Sequence, residues 1–160
     1  MNFKRDLWLN GFLASGLLPN RLRIALYRKY GLCIGKGVVC LPHVFMGSNN
    51  ISIGTNTFIN YNAWIEGGVT IGNNCNIAYK ATFCTSSHKM GGGAERRAGE
   101  KEFKNIVIEN GTWIGANALI LPGVHIGSGC VIGAGAVVTK DCINNGVYVG
   151  NPARLLKILK

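Results

Sequence analysis

Acidic residues are scarce in this chain. Its 160 residues carry seven Asp and Glu against seventeen Lys and Arg, a formal net charge of +10. Proline occurs only four times. No stretch reaches the roughly 18 consecutive apolar residues of an ordinary membrane span. The apolar run from Leu7 to Leu18 is broken by Asn10, Gly11, Ser15 and Gly16 and lacks a signal-peptide cleavage region. Export is therefore not expected. The six cysteines (Cys33, Cys40, Cys75, Cys84, Cys130 and Cys142) form no CxxC pair, so a Cys-rich zinc motif is excluded. A reduced, cytoplasmic setting follows, with the thiols packed as small hydrophobes. Gly-X-Y periodicity is also missing, which excludes collagen. What the chain does have is 48 % hydrophobic residues, enough for a packed core, and a length suited to one domain. Glycine is plentiful, 23 of 160, about twice the usual share.

The charge is uneven. Residues 1–36 hold Lys4, Arg5, Arg21, Arg23, Arg28, Lys29 and Lys36 against Asp6 alone, whereas residues 37–87 hold only Glu66 and Lys80. Such a balance suits nucleic acid, anionic lipid or phosphorylated small molecules. No nucleic-acid-binding motif accompanies it, so no nucleic-acid partner is expected.

A six-residue period dominates the rest. From Ile53 every sixth residue reads Ile53, Ile59, Ile65, Ile71, Ile77, Phe83, and from Ile108 it reads Ile108, Ile114, Ile120, Ile126, Ile132, Val138. With 48 % hydrophobic content, twelve large apolar residues at twelve chosen positions arise by chance at odds of about 10⁻⁴. Four residues on, the positions from Thr57 to Ser87 and from Thr112 to Cys142 are all small or Val. A helix cannot use this pattern. At about 100° per residue, six residues advance by roughly 240°, so successive isoleucines point in three directions. A chain that turns a corner every six residues can use it, with one aliphatic side chain inward per segment and a small residue at each bend. Three hexads then make a triangular coil of eighteen residues, and stacked coils bury isoleucine on isoleucine. Each isoleucine so buried stabilises by about 1.5–3 kcal/mol.

Hexads such as Ile-Gly-Asn-Asn-Cys-Asn (71–76) and Ile-Gly-Ala-Gly-Ala-Val (132–137) resemble those of the hexapeptide-repeat family. The resemblance covers residues 33–160 and implies an all-β solenoid, a left-handed parallel β-helix. Its handedness comes from the family alone, since crossover connections are ordinarily right-handed. The expected organisation is an N-terminal helical cap over residues 1–32, the β-helix over 33–150 with an excursion at 89–105, and a C-terminal helix or tail over 151–160. Cys40 and Met46 fit the early repeat poorly, and Pro42 with Ser48-Asn49-Asn50 suggests irregular turns. Leu22, Ala25, Leu26 and Tyr30 share one helical stripe, with Gly31 as a C-terminal cap. That stripe is expected to cover the first open coil, and the basic residues around it also suit contact with an anionic membrane.

The excursion is polar and charged, and long for a connector, which points to function. His88 closes the hexad Phe83–His88 at its root. A residue held there by a rigid scaffold yet open to ligand has the geometry a general base needs. His125, within an uninterrupted hexad, and His43, in the irregular early region, read as surface positions.

Thr85-Ser86-Ser87-His88, the excursion, Thr112 to Val124, Val138-Thr139-Lys140-Asp141 and Gly150-Asn151-Pro152-Ala153-Arg154 together resemble the sugar O-acetyltransferase branch of the family. That branch includes galactoside, maltose and nodulation acetyltransferases and those of surface-polysaccharide synthesis. The resemblance implies acetyl-CoA as donor, a sugar hydroxyl as acceptor, no metal, and His88 as catalytic base. It places Asn60 at the acceptor or the oxyanion, Trp113 beside the CoA arm, and Glu66 near the acceptor contact. Gly115, Ala116, Gly133 and Ala134 would offer backbone groups to pantetheine, and Thr139, Lys140 and Arg154 would lie near the nucleotide end. A homotrimer with sites between subunits is implied too. Residues 1–32 lack the helical signature of the galactoside and maltose enzymes. They look more like polysaccharide-pathway members, which favours a lipid-linked or nucleotide-linked sugar at the inner membrane face.

Three other readings use the same residues. An antibiotic acetyltransferase would share the chemistry and differ in acceptor. A gamma-type carbonic anhydrase needs zinc histidines at multiples of eighteen, whereas 88 − 43 = 45 and 125 − 88 = 37. A non-catalytic solenoid leaves the excursion unexplained.

Overall fold

The structure is a computed structural model that describes residues 6–160. The basic residues Lys4 and Arg5 lie outside the described residues. The chain winds into a parallel β-solenoid of about six turns that matches a left-handed β-helix of hexapeptide repeats. Its strands are mostly two residues long and stack into three walls. The first wall runs from Cys33–Ile34 to His125–Ile126, the second from Val39–Cys40 to Gly146–Val149, and the third from Phe45–Met46 to Val137–Val138.

The isoleucine spine stacks inside, Ile53 beside Ile71, Ile71 beside Ile108, and Ile108 beside Ile126. All twelve hexad residues from Ile53 to Val138 are buried. The small positions other than Ser87 are buried as well, and where one is Thr its hydroxyl is satisfied by the next coil, as Thr57 Oγ1 donates to Gly72 O at 2.8 Å. Corners account for the recurring Asn and Gly. Asn56, Asn62, Asn74, Asn117 and Asn145 all have positive φ, a region that Asn tolerates better than most residues. After the aliphatic residue, coils approach closely. A Cβ on Gly72 would lie 2.8 Å from the backbone N of Asn110.

Cys40 and Met46 turn out to be regular. Both are buried, and they pair with Ile59 and Ile65. The spacing there is 59 − 40 = 19 instead of 71 − 53 = 18. The extra residue falls in the Gly47–Asn50 turn, so the irregularity belongs to the turn and not to the spine.

The excursion is a β-hairpin. Its outgoing strand Ser86–Met90 pairs antiparallel with its returning strand Ala98–Phe103. The coil pairs Ile71 with Ile108, so the insertion measures 37 − 18 = 19 residues. It opens at Ser86, which takes Ser87 and His88 out of the hexad. The C-terminal segment is a strand and not a helix. After a cis Asn151–Pro152 bond, Arg154–Ile158 folds back antiparallel along Gly146–Val149.

The N-terminal cap has a π-helical segment, Leu7–Phe12, and an α-helix, Asn20–Lys29. Its inner face differs from the expected stripe. Arg23, Ile24 and Tyr27 are buried, while Leu22, Ala25 and Tyr30 are exposed. The reason is the open edge of the first coil, whose backbone groups need partners. Asn10 pairs through its amide with both backbone groups of Met46 on the third wall. Asn20 bridges Val38 O and Cys40 N on the second wall, and Arg28 donates to Ile34 O on the first. The Arg23 guanidinium donates to the carbonyls of Leu13, Cys40, Ser15 and Leu18 at 2.7–2.9 Å. Polar side chains therefore turn inward beside Ile24 to close the coil, and Leu22 and Ala25 are left outside. The cysteines divide accordingly, with four buried, Cys84 half-buried and Cys33 exposed on the outer row of the first wall.

Candidate active site

His88 sits third in the outgoing hairpin strand, exposed, opposite Lys101. Its Nδ1 lies 2.8 Å from the carbonyl oxygen of Gly99. A carbonyl only accepts, so the neutral ring carries its proton on Nδ1 and its lone pair on Nε2. The hairpin thus fixes one tautomer and leaves one basic nitrogen for a ligand.

Glu66 anchors the root of this hairpin. Its Oε2 accepts from the backbone N–H groups of Thr85 and Ser86 at 2.8 and 2.9 Å and from the Ser86 hydroxyl at 3.0 Å, while the Thr85 hydroxyl donates to Gly67 O at 2.7 Å. The carboxylate ties the departing strand to the coil below. Trp64, Glu66, Ser86, Lys101 and Phe103 share a hollow of about 500 Å³ beneath the hairpin.

A second set of predicted residues gathers at the corner between the second and third walls. There the N–H groups of Asn60, Ala78, Gly115 and Gly133 donate to Ile77, Ile114, Ile132 and Tyr148 at 2.8–2.9 Å, one coil above the next. The half-exposed indole of Trp113 stands in the outer row of the second wall between Asn76 and Val131. With Phe58, Asn60 and Ala78 it lines a hollow of about 420 Å³. Asn60 Oδ1 accepts from the Tyr61 N–H at 2.8 Å, which leaves the amide NH₂ as its donating end. Ala116 and Ala134 follow Gly115 and Gly133 on the same corner. At the far end of the tower, the Ala153 N–H donates to Val137 O at 2.8 Å. Arg154 pairs with Val149 of the second wall, whereas Thr139 and Lys140 follow Val137–Val138 at the corner between the third and first walls, and all three are exposed.

Within one chain these two sets do not meet. The hairpin leaves at the corner between the third and first walls, so the whole third wall separates His88 from Asn60 and Trp113. The three histidines do not gather either. His43 takes a corner with φ 62°, and His125 lies on the first wall, its Nε2 2.8 Å from Glu109 Oε1. Glu109 Oε2 accepts from the Ser128 hydroxyl at 2.6 Å. The carboxylate stands between Ser and His, so this cluster cannot pass a serine proton to the imidazole and serves to join coils. Among the described residues, no group of three His, Cys, Asp or Glu side chains could hold a metal ion.

Sequence reasoning did not find Gly99 or the Glu66 clamp. Gly99 lies eleven residues from its histidine, in a stretch without periodicity, and no local signal marks it. The donors of Thr85 and Ser86 are adjacent in sequence, but their partner belongs to the previous coil.

Two family descriptions match the chain, the bacterial transferase hexapeptide (six repeats) over residues 105–140 and the hexapeptide repeat of succinyl-transferase over residues 50–78. The chain is 37 % identical over 138 residues to the galactoside O-acetyltransferase of Escherichia coli strain K12, across 84 % of this chain and 68 % of that protein. A Schizosaccharomyces pombe protein provisionally named an acetyltransferase is 40 % identical over 118 residues, across 72 % of this chain and 56 % of its own length. The chain therefore spans little more than half of that relative. A hexapeptide-repeat acetyltransferase from Vibrio cholerae, solved with acetyl coenzyme A, superposes with a TM-score of 0.86 at 34 % identity, covering 98 % of this chain and 88 % of the other. Fold and site together define a hexapeptide-repeat transferase. Within that class, the chain belongs to the acetyltransferase family, and similar structures have been solved with acetyl-CoA or CoA bound.

Proposed function

We propose that the chain transfers acetyl from acetyl-CoA to a hydroxyl of a sugar-containing acceptor in surface-polysaccharide synthesis, with His88 as general base. The observation that carries this reading is the imidazole locked by Gly99, with Nε2 left to act. The likeness to a galactoside O-acetyltransferase supports the sugar class.

In this reading the acceptor hydroxyl gives its proton to His88 Nε2 as its oxygen attacks the thioester carbonyl. The new C–O bond and the negative charge on the carbonyl oxygen form together. Asn60 offers its amide NH₂ to that charge. Collapse re-forms the carbonyl and breaks the C–S bond, and the imidazolium returns the proton to the sulfur. Glu66 acts on the acceptor side through the hairpin it anchors.

The corner groove fits the donor. Trp113 gives an apolar wall for the extended pantetheine arm. The N–H groups of Gly115 and Gly133 are spent on neighbouring coils, and the Ala116 carbonyl accepts from Gly135, so pairing with pantetheine amides falls to the N–H groups of Ala116 and Ala134. Arg154 at this corner, with Thr139 and Lys140 of an adjacent chain, supplies cations and a hydroxyl for the phosphates. Because a wall separates the two halves within one chain, the complete site needs His88 of one chain beside Asn60 and Trp113 of another. A homotrimer packed side by side satisfies this.

The test is release of CoA thiol across a panel of acceptors: free galactosides and maltosides, nucleotide sugars, lipid-linked saccharides and aminoglycoside or chloramphenicol-type antibiotics. Turnover with a sugar acceptor is expected. Turnover confined to an antibiotic would replace this reading with the xenobiotic one, and hydrolysis without any acceptor would end both.

A further inference from the structure

We propose that the outer face of the N-terminal cap is a docking surface for an anionic lipid bilayer, on which the tower stands by its end. It rests on three observations about residues with no part in the transfer site.

First, the helix Asn20–Lys29 carries its aliphatic stripe outward. At 100° per residue, Leu22, Ala25, Leu26 and Lys29 fall within one arc, with Tyr30 beside it, and Arg23, Ile24 and Tyr27 fall on the other side. The second arc is buried against the first coil, while Leu22 remains 47 % exposed. The cap has already satisfied the coil edge with Asn10, Asn20, Arg23 and Arg28, and Leu26 packs in part against the core, so exposed Leu22 and Ala25 have no task in closing the solenoid.

Second, aromatic side chains extend the same face. Trp8 and Phe12 are 48 % and 45 % exposed and meet edge to face, ring centroids 5.4 Å apart. Trp8 and Tyr30 line one hollow with Leu13, Leu26 and Lys29, which joins the π-helical segment and the helix into a single surface. Exposed Trp and Tyr beside Lys, over aliphatic side chains, is the composition of a segment lying at a membrane–water interface.

Third, the charge selects the partner. On the helix Arg21 and Lys29 are exposed cations, whereas Arg23 is buried and Arg28 is held by the carbonyls of Ile34 and Gly35. A second copy of this chain would bring the same cations against this face and be repelled. A bilayer rich in anionic headgroups complements them and also accepts the aromatic wedge. Among the described residues no helix is long and apolar enough to cross a membrane, so the contact is peripheral. It fits an acceptor presented at a lipid surface but does not depend on that reading.

The test is flotation of the full chain with two kinds of vesicle, phosphatidylethanolamine mixed with phosphatidylglycerol, and phosphatidylcholine alone. Two variants accompany it: Trp8→Ser with Phe12→Ser, and Arg21→Glu with Lys29→Glu. The second pair changes exposed positions only, and far-UV circular dichroism checks both folds. The wild-type chain is expected to float with the anionic vesicles, less so at high salt, and not with phosphatidylcholine. Each variant should lose at least about tenfold in partitioning while CoA binding and turnover of a soluble acceptor stay unchanged. Absence of flotation with anionic vesicles, or equal flotation by wild type and the charge variant, overturns the proposal. A fall in sedimentation mass for the aromatic variant would show that the face joins copies of the chain, and overturns it too. Loss of acetyl transfer with flotation intact would count against the proposed reaction and leave the docking surface standing.

Discussion

Glu66 Oε2 lies 2.9 Å from the backbone nitrogen of Ser86, the residue at which the chain abandons the solenoid. One carboxylate oxygen takes three donors there, one of them the backbone N–H of Thr85, which is 3 % exposed. Removing it strands donors that water cannot fully reach. Glu66→Ala should lower stability by about 1–3 kcal/mol and reduce kcat, with acetyl-CoA affinity unchanged. Glu66→Gln keeps an acceptor oxygen and should recover part of both. Thermal melts with steady-state kinetics check this. A lowered melting temperature with full kcat would make the clamp purely structural.

Acid stability should depend on Glu109. The Ser128 hydroxyl, and after it His125, hold the Glu109 carboxyl below its ordinary value. The unfolded chain then binds its proton more readily than the folded one, so stability rises with pH. This contribution is complete above the ordinary carboxylate value of about 4.3 and is lost as pH falls through the lowered one. Denaturant titrations from neutral to acid pH should show that loss in the wild type, and a shallower slope in Glu109→Gln.

Thiol chemistry should follow position. Burial pushes the Cys40 thiol up to about 12, with the Arg23 charge opposing, and burial with the neighbouring Cys130 and Asp141 raises Cys142 to about 12. Cys75 and Cys130 are raised in the same direction, chiefly by burial. The thiolate is the reacting form, so iodoacetamide on the native protein should label exposed Cys33 first and these four only after unfolding. Peptide mass spectrometry reads the order.

The spine was legible in the sequence because its signal is one-dimensional. Ile53 to Val138 repeat at a fixed step, and a fixed step fixes the coil. Cys40 and Met46 blurred it because one added residue in the turn that follows them, at 47–50, shifts the frame without moving the side chains from the interior. The helix failed for a different reason. An amphipathic stripe normally faces the core, but here the core side offers unpaired coil edges, and hydrogen bonding by Asn20, Arg23 and Arg28 outweighs burial of Leu22 and Tyr30. For the candidate site, His88 was visible at the break in the period. The partner that orients it was not, since Gly99 is brought across only by the hairpin pairing.

The central claim is that His88 is the base in acetyl transfer, and the most direct measurement compares wild type with His88→Ala at saturating acetyl-CoA and a sugar acceptor, with CoA affinity measured alongside. His88 is exposed, so the substitution should change stability by less than about 0.5 kcal/mol. The account predicts a fall in kcat of about 10²–10⁴-fold with CoA binding intact. Turnover by His88→Ala at the wild-type rate would contradict it.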